Sequence, residues 1–277
     1  MQFNKFNLSS MTNKLIITNV IVFVLVWLLS IIFKQYNIIN FVALQPITIL
    51  SGQRLWTLLT SMFTHFTFWH LFVNMVSFYF IGNFVEKLIG KKRVIYLYLI
   101  SGLFAGIFWT LVSNFLGVNP ILMRIFGDPT VYGIGASGAL FGFVGVLALL
   151  TPKIKVYMIA GPIIAIIIQY ILIAIFPVNS AILGIINIIV TIYFIVAITS
   201  MLSLNSNLKK YSLPLEMPMW ALPLVSIIPL IIVALFMDLP IGNMAHLGGL
   251  LAGLAYAYYI KTKYPRKTKM MSNQFRN

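Results

Sequence analysis

The chain contains no cysteine and only four carboxylates among 277 residues: Glu86, Asp128, Glu216 and Asp238. The first lack excludes disulfides, thiolate metal sites and a cysteine nucleophile, and leaves the redox compartment open. The second argues against an aspartyl protease, which would need two aspartates inside the apolar stretches. Three histidines occur, none in an HExxH pattern, so we expect neither a metal nor a cofactor. Charge is scarce altogether, at 8% of residues against 61% hydrophobic. No soluble domain could hide that much apolar surface in one core and still cover it with polar groups.

What is present is a succession of apolar runs of the length a helix needs to cross a ~30 Å hydrocarbon layer. They predict an all-α polytopic bundle with spans near 15–33, 69–89, 93–114, 137–151, 155–176, 179–203, 218–237 and 241–261. The net charge of +15 would suit nucleic acid if it ran along one helix face, but it falls in short clusters at alternate joints. Lys5 and Lys14 precede the first run. Lys87, Lys91, Lys92 and Arg93 lie between the second and third, and Lys153 and Lys155 follow the fourth. Lys209 and Lys210 follow the sixth, and the basic tail from Lys261 follows the last. The positive-inside rule makes those joints cytoplasmic and places both termini there. The expected parts are a cytoplasmic tail (1–14), a membrane domain (15–262) and a basic cytoplasmic tail (263–277). No cleavage site follows the first run and no targeting extension precedes it, so we expect a retained span in a prokaryotic plasma membrane. The partners expected are lipid and membrane helices, not nucleic acid.

Polar residues inside such runs are costly and become functional candidates, although many simply bridge helices. Ser137 precedes Lys153 by 16 residues, His246 precedes Lys261 by 15, and His70 precedes Lys87 by 17. At 1.5 Å per residue, each sits ~22–26 Å above its cytoplasmic end, at nearly one depth beneath the outer face.

Ser137 lies in Gly135-Ala136-Ser137-Gly138 at the start of a short span, where a helix N-terminus favours an anion. The same small residues also suit plain helix packing. Gly249 and Gly253 follow His246 by three and seven residues and share its face, which matches the small face that Gly138 and Gly142 offer beneath Ser137. Asn74 lies one turn beyond His70, so both could donate to one spot where an oxyanion develops. The alternative for His70, Asn74 and Trp69 is an interfacial belt, which is the reading we adopt for His65. No carboxylate falls at the depth of His246, because Glu86 lies near the cytoplasmic end. A Ser–His dyad is therefore the economical arrangement.

Taken together, GASG at Ser137, AHLGGLLAG at His246, HFTFWHLFVN from His65 to Asn74 and IGNFVEKLIG around Glu86 resemble the rhomboid family of intramembrane serine proteases, over roughly 52–151 and 218–261. The resemblance implies that Ser137 is the nucleophile, His246 the general base, and His70 and Asn74 oxyanion donors. It further implies that His65 braces the outer loop, that Glu86 ties helix ends or loops together, and that Phe141 packs on the catalytic histidine. Two features depart from the family pattern. A Trp-Arg pair common in the first outer loop is replaced by Trp56-Thr57 with Arg54 two places earlier. Three spans, rather than one, separate the serine and histidine helices, so 155–203 reads as an inserted hairpin, either inert in lipid or a partner site.

Two rival readings are a catalytically dead relative that escorts membrane helices, which would be expected to lack the serine or the histidine, and a small-solute transporter, which would show paired intramembrane charges or repeated halves.

Overall fold

The computed structural model describes residues 7–33, 35–176, 181–202, 206–235, 242–266, 268 and 270. Lys5, Lys34, the expected turn at Pro177–Ser180, Asp238, the outermost ends of the spans expected at 179–203, 218–237 and 241–261, and the tail beyond Met270 lie outside the described residues.

A backbone in lipid must satisfy its own hydrogen bonds, and the apolar runs do so as helices. The long helices are α1 (Met11–Ile32), α2 (Phe68–Ile89), α3 (Lys91–Leu116), α4 (Ser137–Leu150), α5 (Ala160–Ile175), α6 (Ala181–Leu202), α7 (Leu222–Ala234) and α8 (Asn243–Lys263). Among the described residues, α1, α2, α3 and the segment Ala181–Ser200 of α6 are long and apolar enough to cross a membrane, while α4 and α7 are shorter apolar helices. Local signals set the starts. The Ser10 hydroxyl caps α1 by accepting from the Asn13 N–H, and Thr67 caps α2 by accepting from the His70 N–H. A single residue, Gly90 at φ 88°, ends α2 and begins α3, a conformation that glycine adopts without a Cβ penalty.

Residues 1–152 and 223–277 form one compact unit, and Lys153–Leu222 another. In the first, α4, α8 and α3 pack through small residues. A methyl group on Gly249 would run into the Gly138 carbonyl, one on Gly253 into the Gly142 carbonyl, and one on Gly138 would come within 2.9 Å of the Ala105 Cβ. The serine and histidine helices therefore meet backbone to backbone.

Above them, residues 35–63 fold as short helices (Gln35–Val42, Pro46–Leu50, Thr57–Thr60) and a tight turn at Ser61–Phe63. The unusual order of Arg54 and Trp56 still anchors this connection. The Arg54 guanidinium donates to the Asn40 carbonyl (2.7 Å) and side chain, and the Trp56 indole donates to the Phe41 carbonyl at 2.9 Å. Leu44 exchanges a pair of backbone hydrogen bonds with Gly133 of the second outer loop. Beneath lies a core of Leu44, Ile49, Trp109 and Met244, against which Ile231 of α7 packs.

The second unit corrects the expectation of an all-helical chain. Residues 155–159, expected to begin a span, form strand β1, and Pro214–Pro218, the last residue of which was expected to begin another, forms β2. The two pair antiparallel, with Tyr157 opposite Glu216. Lys155 and Tyr157 are exposed while Val156 and Met158 are half-buried, the alternation of a strand rather than the drift of a helix. Glu216 ties the ribbon by pairing with the Lys155 ammonium (2.6 Å) and accepting from the Tyr157 hydroxyl (2.6 Å). Within this unit α5 and α6 pack together, joined by a Gln169–Asn187 side-chain hydrogen bond of 2.6 Å.

Replacing Gly253 by alanine forces the α4 and α8 backbones apart and should destabilise the protein by about 1–3 kcal/mol. Gly184, beside which a methyl finds open space, should accept alanine with no loss, since alanine is the better helix former. Thermal unfolding of both variants in detergent checks the contrast.

Candidate active site

The site is built where α4 begins. Gly135 holds φ 134°, a left-handed conformation that other residues rarely adopt. Its N–H donates to the Ser61 carbonyl at 2.9 Å. The next amide, on Ala136, donates to the His65 Nε2 at 3.4 Å. With two successive amides engaged by the 61–65 turn, Ser137 opens α4 with an N–H that no preceding helical carbonyl can take.

His246 sits in the first turn of α8, its N–H bonded to the Gly242 carbonyl. Its Nε2 lies 2.8 Å from the Ser137 Oγ, within reach for a proton to pass. When the hydroxyl donates, Nε2 accepts and Nδ1 carries the ring hydrogen. Phe141, one turn below the serine, stacks on the imidazole with centroids 4.4 Å apart and planes 17° from parallel, which restricts how the ring can turn.

His70 approaches from α2. A Cβ built on Gly135 would meet its Cε1 and Nε2 at 2.8 Å and lie 3.8 Å from the Ser137 Oγ, so glycine is needed here for space as well as for conformation. The Asn74 amide donates to the His70 carbonyl at 2.8 Å, a bond that uses one of its two amide hydrogens. The His65 ring meets His70 edge to face at 4.9 Å. Of the two expectations for His65, an interfacial belt and, from the resemblance, a brace for the outer loop, the residue's 2% exposure and its acceptance of the Ala136 N–H fit the second.

Glu86 stands apart from this group. Its Oε2 accepts from the Ser10 hydroxyl, the Thr12 N–H and the Thr12 hydroxyl, each at 2.8 Å, and its Oε1 accepts from the Met11 N–H at 3.1 Å. It thus caps the N-terminus of α1, the end where a carboxylate is electrostatically favoured. Among the described residues no group of three histidine, cysteine or acidic side chains could hold a metal ion. Sequence reasoning missed the Ser61 carbonyl, which no residue type signals. It also missed Asn19 and Tyr98, two polar side chains within apolar runs, whose cost in lipid was the available clue.

The family model of the rhomboid domain matches residues 52–189 and 183–263, and the chain belongs to the rhomboid family. It is 31% identical over 147 residues (52% of the chain) to RHOMBOID-like protein 12, mitochondrial, of Arabidopsis thaliana, covering 42% of that protein. It is 28% identical over 110 residues (39% of the chain) to Rhomboid protein 1, mitochondrial, of Saccharomyces cerevisiae, covering 28% of it. It is 26% identical over 96 residues (35% of the chain) to Inactive RHOMBOID-like protein 8 of Arabidopsis thaliana, covering 23% of it. The chain thus matches less than half the length of each. Relatives named as mitochondrial give no support to the expected prokaryotic plasma membrane.

Burial, and then the neighbouring His70, push the His65 imidazole down from 6.5 to about 3. Between those values the unfolded chain binds a proton that the folded one does not, so stability falls as pH drops from 6.5 towards 3, by up to about 1.4 kcal/mol per pH unit. Unfolding midpoints measured across that window should show a shallower slope in His65→Gln than in the parent.

Proposed function

We propose that the protein is an intramembrane serine endopeptidase that cuts transmembrane helices of other membrane proteins near their outer ends, using Ser137 and His246 as a dyad. The observation that carries this reading is the 2.8 Å approach of the His246 Nε2 to the Ser137 Oγ, made by two helices that glycines lock side by side.

In the proposed reaction a substrate helix enters from the lipid and unwinds at its outer end to present a peptide carbonyl. His246 takes the hydroxyl proton as the Ser137 Oγ attacks the carbonyl carbon. The negative charge on the former carbonyl oxygen is held by the Ser137 N–H with His70 and Asn74. Collapse of this intermediate breaks the C–N bond, and His246 returns its proton to the departing amine. Water, activated by the same imidazole, then hydrolyses the acyl-serine. No carboxylate orients the base in this scheme; the orienting contact is the stacked Phe141.

The basic joints orient the chain with both termini in the cytoplasm, which puts the dyad beneath the outer surface. Its partners are membrane-helix substrates and the bilayer, with no nucleic acid and no metal. The insert read from the sequence at 155–203 supplies none of the residues assigned to the reaction. In α7, Pro229 lies inside the helix, where it withholds a backbone donor and weakens it locally, while Pro223 sits in the first turn, where a helix needs no donor, and we assign α7 the role of a movable gate.

Purified protein in proteoliposomes with a single-span substrate tests the reading. Ser137→Ala and His246→Ala should abolish cleavage, and His70→Ala or Asn74→Ala should lower kcat by about 10²–10³. A fluorophosphonate should label the parent but not Ser137→Ala. Persistent cleavage by Ser137→Ala would overturn the dyad and favour neither an escort nor a transporter. Absence of both cleavage and labelling in the parent would favour the escort. With Pro223 and Pro229 both changed to alanine, cleavage of embedded substrates should slow; an unchanged rate would remove α7 as the gate.

A further inference from the structure

Two fully buried polar side chains outside the dyad lead back to it. Tyr98 of α3 and Asn19 of α1 are both 0% exposed, in apolar helices where a polar group persists only with a partner. The Tyr98 hydroxyl lies 2.8 Å from the Met62 carbonyl, and the Asn19 Nδ2 lies 3.2 Å from the Tyr98 Oη and 2.8 Å from the Leu15 carbonyl. A phenol has one hydrogen. Given to Met62, it leaves the Tyr98 oxygen to accept from Asn19, so the chain runs in one direction, from Asn19 N–H through Tyr98 O–H to the Met62 carbonyl. Such chains strengthen each member in a low-dielectric interior.

Met62 is held a second time. Its side-chain end occupies the space left by the missing side chain of Gly102, one turn along α3 from Tyr98. The Tyr98 ring is itself fixed, stacked on Phe78 (5.3 Å, 17°) and tilted against Phe63 (5.3 Å, 45°), with Phe143 of the serine helix edge-on to Phe78. The turn so fastened is the one from which the serine hangs. The Ser61 carbonyl, next to Met62, takes the Gly135 N–H, and His65 takes the Ala136 N–H.

We infer that Tyr98 is a positioning residue for the reaction: through the Met62 carbonyl it fixes the 61–65 turn, and through that turn it sets the backbone of Gly135 and Ala136 and so the place of the Ser137 N–H and Oγ. The inference rests on the endopeptidase reading for its consequence in rate, but not for its consequence in structure. It makes the interior of α3, which contributes no group to the chemistry, part of what aligns the nucleophile with its base.

The test is Tyr98→Phe in the full chain, which keeps the stacked ring and removes only the hydroxyl. Four quantities are measured: kcat and KM for a single-span substrate in proteoliposomes, the rate of Ser137 labelling by a fluorophosphonate, the thermal midpoint, and amide hydrogen exchange over residues 133–137. We expect kcat and labelling to fall about tenfold per folded molecule, as the loss of one hydrogen bond permits, with KM unchanged and exchange at 133–137 faster. Thr12→Val, which removes an equally buried hydroxyl bonded to Glu86, should lower the midpoint while leaving kcat and that exchange unchanged. If Tyr98→Phe lowers only the midpoint, or raises KM with kcat intact, Tyr98 is a structural residue and the inference is overturned. Gly102→Ala, which displaces the Met62 side chain instead, should repeat the pattern and serves if Tyr98→Phe does not fold; normal kcat and exchange there overturn it equally. Faster exchange in Tyr98→Phe, in a parent that neither cleaves nor labels, would support the positioning and overturn the endopeptidase reading instead.

Discussion

The candidate site depends on how closely two helix backbones can approach. The α4 and α8 helices touch at Gly138–Gly249 and Gly142–Gly253 with no room for a methyl group at Gly249 or Gly253. Without a hydrophobic force between helices in lipid, close packing and complementary shape must supply the attraction, and glycine gives the closest packing available. The 2.8 Å reach from His246 to Ser137 follows from that contact. A wider pair of helices would need longer side chains, and neither serine nor histidine has length to spare.

Around this contact the molecule spends its polar groups in two places. At one, Glu86 gathers the first turn of α1. At the other, the outer connection, held by Arg54, Trp56 and the Leu44–Gly133 pair, carries the 61–65 turn to the serine. Tyr98 and Asn19 link α1 and α3 to that turn through the middle of the bundle. Other buried polar side chains, among them Thr57, Thr64, Ser113 and Thr151, donate to carbonyls of their own turn.

Much of the site could be read from spacing. Ser137, His246 and His70 stood at equal depth because helical rise converts residue counts into height. The glycines following Ser137 and His246 at helical intervals marked the faces that meet. The packing of Phe141 on His246 was expected from the family resemblance and not from spacing. Contacts between residues distant in the chain were not legible: nothing around Met62 announces that its carbonyl meets a tyrosine 36 residues away, and Arg54 lacked its expected position beside Trp56 yet found the loop by another route. The ribbon was misread for a different reason. Val156 to Ile159 continue directly into the apolar α5, and a short apolar run cannot be told from helix by composition alone; its partner lies beyond two helices, between two prolines.

The cap that Glu86 places on α1 bears on the order of assembly. Helix α1 emerges from the ribosome before α2, yet the acceptor for its opening amides belongs to the end of α2, more than seventy residues later. Until α2 has been inserted, the start of α1 is left to water and headgroups, so the span can cross the bilayer early but can settle against its neighbours only after the second crossing is complete.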